Sequence, residues 1–464
     1  MAHTAGHEIG STLAQRLAHY SRALSYRLLP SEVVHEVKRR LIDTLGCALG
    51  GWESAPAKIA RKVARSVQFR AGAALLGEAH RTTEDLAAFA NGTAVRYLDY
   101  NDTYLSKEPA HPSDNIPAAL AAAEAAGRGG KALIEAIVLG YDIQCRLCDA
   151  AALRPKGWDH VTYGAFSSAL VAAKLWRLTE EKTIHAVGLA GTPNQALRQT
   201  RVGEISMWKA AAFANAVRNG LFAVELARLG MTGPAPIFEG EKGFMKVVSG
   251  EFDLPPLHPA GPFKIMETYI KYFPVEYHAQ SAVQAALLLR KRLEGGIDSI
   301  ESITIRTPDV SYEIIGRDPE KWHPKTRETA DHSLPYCVAA ALMDGEMGLR
   351  QFGPRRLVDP KLHLLMQKVR VLSDPELSAA YPGAIANIVE VEAHGRREVE
   401  RVDHPRGHPK NPVTDDEVEE KFRRLAGRLL SKLQVEKVLG RIWALEKVQS
   451  IGEILTPLKV RGKR

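Results

Sequence analysis

Cysteine is scarce in this sequence, with four in 464 residues, too few for a disulfide framework. Cys145 and Cys148 form a lone C-x-x-C in "YDIQCRLCDAA". A zinc site calls for a second such pair or nearby histidines, and an iron–sulfur cluster for at least one more matching thiolate. On a helix that spacing only sets two small apolar side chains on one face, which is the expectation here. No apolar run is long enough to span a bilayer. The opening "MAHTAGHEIG" has neither the basic start nor the apolar core of a secretory signal, so a cytoplasmic protein is expected. Nucleotide-binding G-x-G-x-x-G, Walker loop, G-x-S-x-G elbow and H-E-x-x-H helix are all missing. A net charge of +8 admits an anionic partner. Without zinc-finger spacing, an RNA-binding aromatic strand or a basic region with heptads, that partner is not expected to be nucleic acid. Part of the excess sits in the tail "KVRGKR".

What is present is ordinary globular composition, 45% hydrophobic and 25% charged, in a chain long enough for two or three domains. The first half reads as helix after helix. "SEVVHEVKRRLIDTLGCALGG" starts on Ser31 as a cap, places Val34, Val37, Leu41 and Leu45 three and four apart, and ends on Gly50 and Gly51. The abundance of alanine in the helices that follow implies close packing. Proline-rich "EFDLPPLHPAGPFK" marks a junction. Beyond it lie strand-like "SIESITIRT", "KVRVL" and "IVEVEAHGRREVERV", the last alternating Val389, Val391 and Ala393 with Glu390, Glu392 and His394 before a turn at Gly395. A helix, "DHSLPYCVAAALMDG", lies among them, and a capping box of Thr414 with Glu417 opens renewed helix. The order is helices, a mixed segment, then helices, with no internal repeat.

Several polar residues stand in apolar or Gly/Pro-rich settings. "LDYNDTYLSKEPAHPSDN", Leu98–Asn115, holds Asp99, Thr103 and His111, and its Ser113 or Asp114 is placed to cap the next helix ahead of Pro117. By composition alone this stretch reads as a solvated loop. His160 lies in "GWDHVTYG", Lys209 in "MWKAAAFA", Lys271 and His278 in "IKYFPVEYHAQSAV", and Tyr336 in "HSLPYCVAA". Each has a plain reading as cap, turn or surface residue. Lys209 fits that reading least: an ammonium at the front of a helix opposes the macrodipole. Buried among small neighbours, it needs an anionic partner, internal or from a substrate.

"LDYNDTY…HPSDN", "RVGEISMWKAAAFANA", "MTGPAPIFEGEKGF", "IKYFPVEYHAQSAV" and "ADHSLPYCVAAAL" resemble, in order and over nearly the whole chain, the signatures of the MmgE/PrpD family. That family contains 2-methylcitrate dehydratases and cis-aconitate decarboxylases, which work without metal or iron–sulfur cluster. The forms "SKEPAHPSDN" and "GEISMWK" look closer to the dehydratases. The resemblance implies a mainly α fold: an all-helical domain from both chain ends (1–262 and 405–464) with a smaller α+β lid domain (263–404) inserted. It also implies a homodimer, no cofactor and a small tricarboxylate substrate. The family's site pattern falls on Asp99, Thr103, His111, His160, Lys209, Lys271 and Tyr336, with Lys209, Lys271 and His278 as substrate contacts. Two departures are Tyr104, where the family often has Trp, and "YFPVEYHAQ", where many members carry Pro-Cys-Cys.

Dehydration of such a substrate removes a weakly acidic proton beside a carboxylate and expels hydroxide. Positioned acids and bases typically contribute about 10²–10⁴-fold to such steps. Lys209 and Lys271 are expected to supply charge, His111 and His160 to titrate near neutral pH and move protons, Asp99 to act as base or to orient a histidine, and Thr103 and Tyr336 to donate hydrogen bonds. Which histidine is the base stays open. Decarboxylation of cis-aconitate needs the same residue types, and a non-catalytic anion-binding scaffold is the alternative outside enzymology.

Overall fold

The computed structural model describes residues 11–460, so all of "MAHTAGHEIG" and the basic end of the tail lie outside it. The chain opens with α1 (Leu13–Ala23), α2 (Ser31–Gly51) and α3 (Ala55–Ala64), then a two-strand ribbon of β1 (Ala73–Ala74) and β2 (Arg81–Thr82). Six helices follow: α4 (Glu84–Tyr97), α5 (Ile116–Ala125), α6 (Gly130–Ala150), α7 (Thr162–Leu175), α8 (Glu180–Gly191) and α9 (Trp208–Arg228). Thr12 and Gln15 close a capping box on α1. Ser31 does not cap α2 as its position suggests. Pro30 takes the N-cap place, and Ser31 Oγ donates instead to Glu32.

The alanine content is used for close approach. A Cβ at Gly92 of α4 would lie 3.1 Å from the Ala214 Cβ of α9, and one at Gly220 of α9 would lie 2.1 Å from the Ser168 Oγ of α7. Alanine at Gly220 would already press α9 off α7, and anything larger than alanine at Gly92 would press it off α4. One apolar cluster runs from Leu13 to Ile270 and resumes from Val413 to Leu458. The helix Asp415–Ala426, opened by the Thr414–Glu417 capping box, packs on α2. Proline-rich residues 251–263 form no regular element.

A second apolar cluster spans Phe273–Val402. Its sheet has the order β4-β3-β5-β6, from β3 (Ile300–Thr307), β4 (Val369–Ser373), β5 (Asn387–Ala393) and β6 (Arg396–Val402). β3 is parallel to β4 and antiparallel to β5. The β5–β6 hairpin turns through His394 and Gly395 at φ 52° and 67°, the left-handed conformation a two-residue hairpin favours. Val389 and Val391 point inward as the alternation predicts, but Glu390 is also buried, held by Arg306 at 3.0 Å and by Arg397. α10 (Gln280–Arg290) packs on β5 and β6, and the helix Leu334–Asp344 on α10 and β4. Ser333 caps that helix and Gly345 ends it. The molecule is mainly helical, with small sheets.

Candidate active site

The stretch Leu98–Asn115 is not a solvated loop. Asp99, Asn101, Asp102, Thr103, Glu108, Ser113, Asp114 and Asn115 are all buried, while Lys107 is exposed. Such a density of buried polar groups requires partners for each. Asn101 donates to Ser113 Oγ (2.9 Å) and Asp114 Oδ1 (2.8 Å), and the Ser113 amide donates to Asp102 Oδ1 (2.9 Å). Ser113 and Asp114 therefore close the loop on itself and do not cap α5, which has no side-chain cap. Glu108 accepts from the Leu153 and Arg154 amides at 2.7 and 2.9 Å, tying the loop to the end of α6. Thr103 and Tyr269 exchange backbone hydrogen bonds of 2.9 and 2.8 Å. That bridge draws Lys271 up to the loop.

Asp99 ends α4 in the left-handed region, at φ 50°, which costs a non-glycine residue about 1 kcal/mol. The strain sets its carboxylate among cations. Arg96 pairs with Oδ1, and Lys271 Nζ lies 3.2 Å from Oδ2 and donates to the Asp99 carbonyl at 2.9 Å. Burial alone would raise the Asp99 carboxyl, but Arg96, Lys209 and Lys271 hold it well below the usual range. Burial pushes the Lys271 ammonium down against the pull of Asp99. Lys209 finds the anionic partner its position demands: Nζ is 3.1 Å from Asp331 Oδ1 and 3.2 Å from His332 Nδ1. His332 Nδ1 in turn lies 2.6 Å from Asp331 Oδ1 and 3.9 Å from Asp99 Oδ2. Asp99, Lys209, Lys271 and Asp331 are each no more than 1% exposed.

The histidines differ from expectation. His111 Nδ1 faces the Asp102 carbonyl at 2.8 Å and Nε2 faces Arg96 Nη2 at 2.7 Å. A carbonyl can only accept and a guanidinium only donate, so His111 is the neutral Nδ1–H tautomer. Burial, with Arg96 and Lys271, keeps its imidazolium form well below the ordinary pKa. His160 stands edge-on to His111, ring centres 5.6 Å apart, and burial lowers its pKa to about 3. Neither titrates near neutrality, because each is desolvated beside arginine.

Asp99, Asp331 and His332 each offer a ligand atom within 4.8 Å of the others. Lys209, Lys271 and Arg96 already sit on three of those four carboxylate oxygens, so the group fits an internal ion cluster and fits a metal poorly. A cavity of about 480 Å³ beside α9, lined by Asn194, Gln199, Thr200, Trp208, Asn215 and Asn219 among others, carries no titratable side chain at all. Buried titratable groups are gathered in the ion cluster instead.

The family's N-terminal domain model, MmgE/PrpD N-terminal domain, matches residues 15–257, and its MmgE/PrpD C-terminal domain model matches 273–445. The chain belongs to the MmgE/PrpD family. It is 31% identical over 440 residues to the 2-methylcitrate dehydratase of Cupriavidus necator, covering 86% of this chain and 87% of that one. Against the 2-methylcitrate dehydratase of Escherichia coli (strain K12) the identity is 29% over 429 residues, 87% of this chain and 83% of the relative. A fungal alkylcitrate dehydratase, phiI of Fungal sp. (strain ATCC 74256), is 28% identical over 444 residues, 88% and 86% of the two chains.

Of the residues the MmgE/PrpD resemblance implies, Asp99, His111, His160, Lys209 and Lys271 come together through Arg96, Asp331 and His332. Three others do not join that network. Thr103 Oγ1 donates to the Ala110 carbonyl at 2.9 Å and holds the loop. The Tyr336 hydroxyl donates to the Gln351 carbonyl at 2.5 Å, its ring packed on Phe352 in the second core. His278 Nδ1 is held by Glu276 at 2.9 Å and its ring stacks on Tyr381, leaving Nε2 buried and unpartnered. Sequence reasoning passed over Arg96, Asp331 and His332. Arg96 reads as a helix-surface cation, whereas "ADH" lies inside a signature from which only Tyr336 was taken.

Proposed function

We propose that the protein is a cofactor-independent hydro-lyase of the 2-methylcitrate dehydratase type, converting 2-methylcitrate to 2-methyl-cis-aconitate and water. The observation that carries this is the buried cluster of ammonium, guanidinium, carboxylate and neutral imidazole, in a chain resembling curated dehydratases over more than four-fifths of its length. A tricarboxylate in a desolvated site needs its charge paired. Lys209 and Lys271 provide that by exchanging Asp331 and Asp99 for substrate carboxylates. Lys271, made more acidic by burial, is suited to protonate the departing hydroxide. His111 and His160, held neutral, border the reacting carbon, while Asp99 organises Arg96 and Lys271 and Thr103 shapes the loop. Tyr336 supports the second core, and His278 Nε2 is kept for a substrate contact.

The apolar clusters break between Ile270 and Phe273 and between Val402 and Val413, which supports an inserted unit beginning a few residues after 262/263 and ending close to 404/405. The near-complete burial of Lys209 and Lys271 supports its moving as a lid to admit substrate. Exposed Leu197, Val202, Met207, Trp208 and Phe222 on and beside α9 support a homodimer through that face. All four thiols are buried and unbridged, which suits a reducing cytoplasm. No helix among the described residues is long and apolar enough to cross a membrane.

An NMR time course with 2-methylcitrate, citrate and cis-aconitate, run with and without chelator, tests the reading. Consumption of 2-methylcitrate with formation of the unsaturated acid, unaffected by chelator, is expected. Release of CO₂ with itaconate would replace dehydration by decarboxylation, and no reaction with any of the three would overturn the substrate class.

A further inference from the structure

Three imidazoles border the cluster, and they differ in what their nitrogens are free to do. His111 has neither nitrogen available, with Arg96 on Nε2 and a carbonyl on Nδ1. His160 has an unpartnered Nδ1, but Asp159 is committed to Arg201 at 2.8 Å and stays 3.7 Å from Nε2, so no carboxylate fixes its tautomer. His332 is different. Its Nδ1 is 2.6 Å from Asp331 Oδ1, and its side chain keeps 9% of its surface accessible while that of Asp331 keeps none. Asp331 is ionised: burial opposes this, but Lys209 and the His332 hydrogen bond hold its carboxyl below the ordinary range. Nδ1 also lies 3.2 Å from Lys209 Nζ, but that ammonium has Asp331 Oδ1 to donate to at 3.1 Å. The shorter 2.6 Å contact is with a carboxylate that only accepts, so Nδ1 carries the hydrogen and the Nε2 lone pair is left bare. No residue hydrogen-bonds Nε2 among those described.

We infer that His332 is the general base of the proposed dehydration, a catalytic residue held in its working tautomer by the Asp331 carboxylate. This rests on the hydro-lyase reading and names the group that reading leaves open. The step balances as follows. His332 Nε2 takes the proton from the carbon beside a carboxylate seated on Lys209. The C–H electron pair becomes the new C=C bond, and the C–O pair leaves with hydroxide, which departs as water with a proton from Lys271. The imidazolium returns its proton to solvent and the lysine regains one. Asp331 stabilises the imidazolium as it forms, as a carboxylate does for a histidine base elsewhere. Burial and then Lys209 keep it from charging beforehand, holding its pKa to about 4. Glu276, Asp99 and Lys271 are the other charged groups around it.

The test has two arms. In histidine-¹⁵N-labelled protein, long-range ¹H–¹⁵N spectra assigned with His332→Gln are expected to show Nδ1–H and bare Nε2 at pH 7. Addition of the unreactive tricarboxylate tricarballylate is expected to shift the Nε2 resonance. An Nε2–H tautomer, an imidazolium, or no shift overturns the assignment whether or not the protein turns over any substrate. In the kinetic arm, His332→Gln with unchanged melting temperature is expected to lose kcat by roughly 10²–10⁴-fold with KM within about threefold. Asp331→Asn should lose the Nδ1–H tautomer and most of the same rate. Wild-type kcat in His332→Gln, or a collapse in His278→Gln instead, overturns it. A wild-type protein inert towards every tricarboxylate fails the hydro-lyase reading alone, and the tautomer arm still decides whether His332 is poised as a base.

Discussion

The loop Leu98–Asn115 and the hairpin Asn387–Val402 are both crowded with charge, yet they spend it differently. In the hairpin, Arg401 reaches Glu376 at 2.9 Å and Asp403 at 3.0 Å with more than two-fifths of each side chain in water. Such pairs contribute roughly 0–1 kcal/mol, because solvent screens them and ordering two long side chains opposes them. In the loop, Asp99 meets Arg96 and Lys271 with all three nearly dry. Removing one member there leaves a buried charge unpaired, at a cost of about 3–5 kcal/mol. Identical residue types therefore make solvated pairs in one place and a dry ion cluster in the other. The difference lies in what the flanking helices cover.

That contrast can be broken from either side. The largest effect is expected at Lys209, where Lys209→Met should lower kcat/KM by roughly 10²-fold or more, measured on 2-methylcitrate with folding verified by circular dichroism. Behind the loop, Lys421 binds Asp43 Oδ1 at 2.6 Å and donates to the carbonyls of Tyr100 and Lys271 at 2.7 and 2.9 Å. It thus anchors both site segments to the helix Asp415–Ala426. Lys421→Met should cost about 3–5 kcal/mol in urea unfolding, since Asp43 is left buried without its partner.

Acidification should act on the buried side through its histidines. The pKa values of His111, His160 and His332 are all held below the ordinary 6.5 in the folded state, the last two at about 3 and about 4. Between pH 6.5 and 4 the unfolded chain binds more protons at these sites, so stability falls as pH drops through that window. Asp114, raised to about 7 by burial, works in the opposite sense, as do the carboxyls of Asp43, Glu108 and Asp142, also raised by burial, while His408, lowered to about 4 by burial, adds to the histidines. Between pH 6.5 and 4 the melting temperature of Asp114→Gln should therefore decline more steeply than that of the wild type, and that of His160→Gln less steeply.

Smaller effects follow at the margins. Tyr336→Phe removes one hydrogen bond to the Gln351 carbonyl and should cost about 1 kcal/mol, with turnover kept within about threefold. A hundredfold loss would return Tyr336 to the site. Arg401→Ala should change stability by less than about 1 kcal/mol and turnover not at all.

Much of the fold could be read ahead of the structure, and for identifiable reasons. Period and capping chemistry mark the helices, as Thr414 with Glu417 does at Asp415, and strict alternation with a glycine turn marks the hairpin. Caps with competing partners were misread: Ser113 and Asp114 satisfy Asn101, which only the closed loop makes possible. Lys209 signalled its need for an anion from position alone, and the answer, Asp331, lies 122 residues away. Distant pairing of this kind leaves no local trace. The same holds for the protonation of His111, which depends on Arg96 fifteen residues earlier folding back over it.

The most direct measurement of the central claim is a crystal structure of the protein soaked with tricarballylate. Carboxylate density on the ammoniums of Lys209 and Lys271, with Asp331 and Asp99 displaced from them, is the predicted result. Density confined to the cavity lined by Asn194, Trp208 and Asn215, with the buried ion pairs intact, would contradict it.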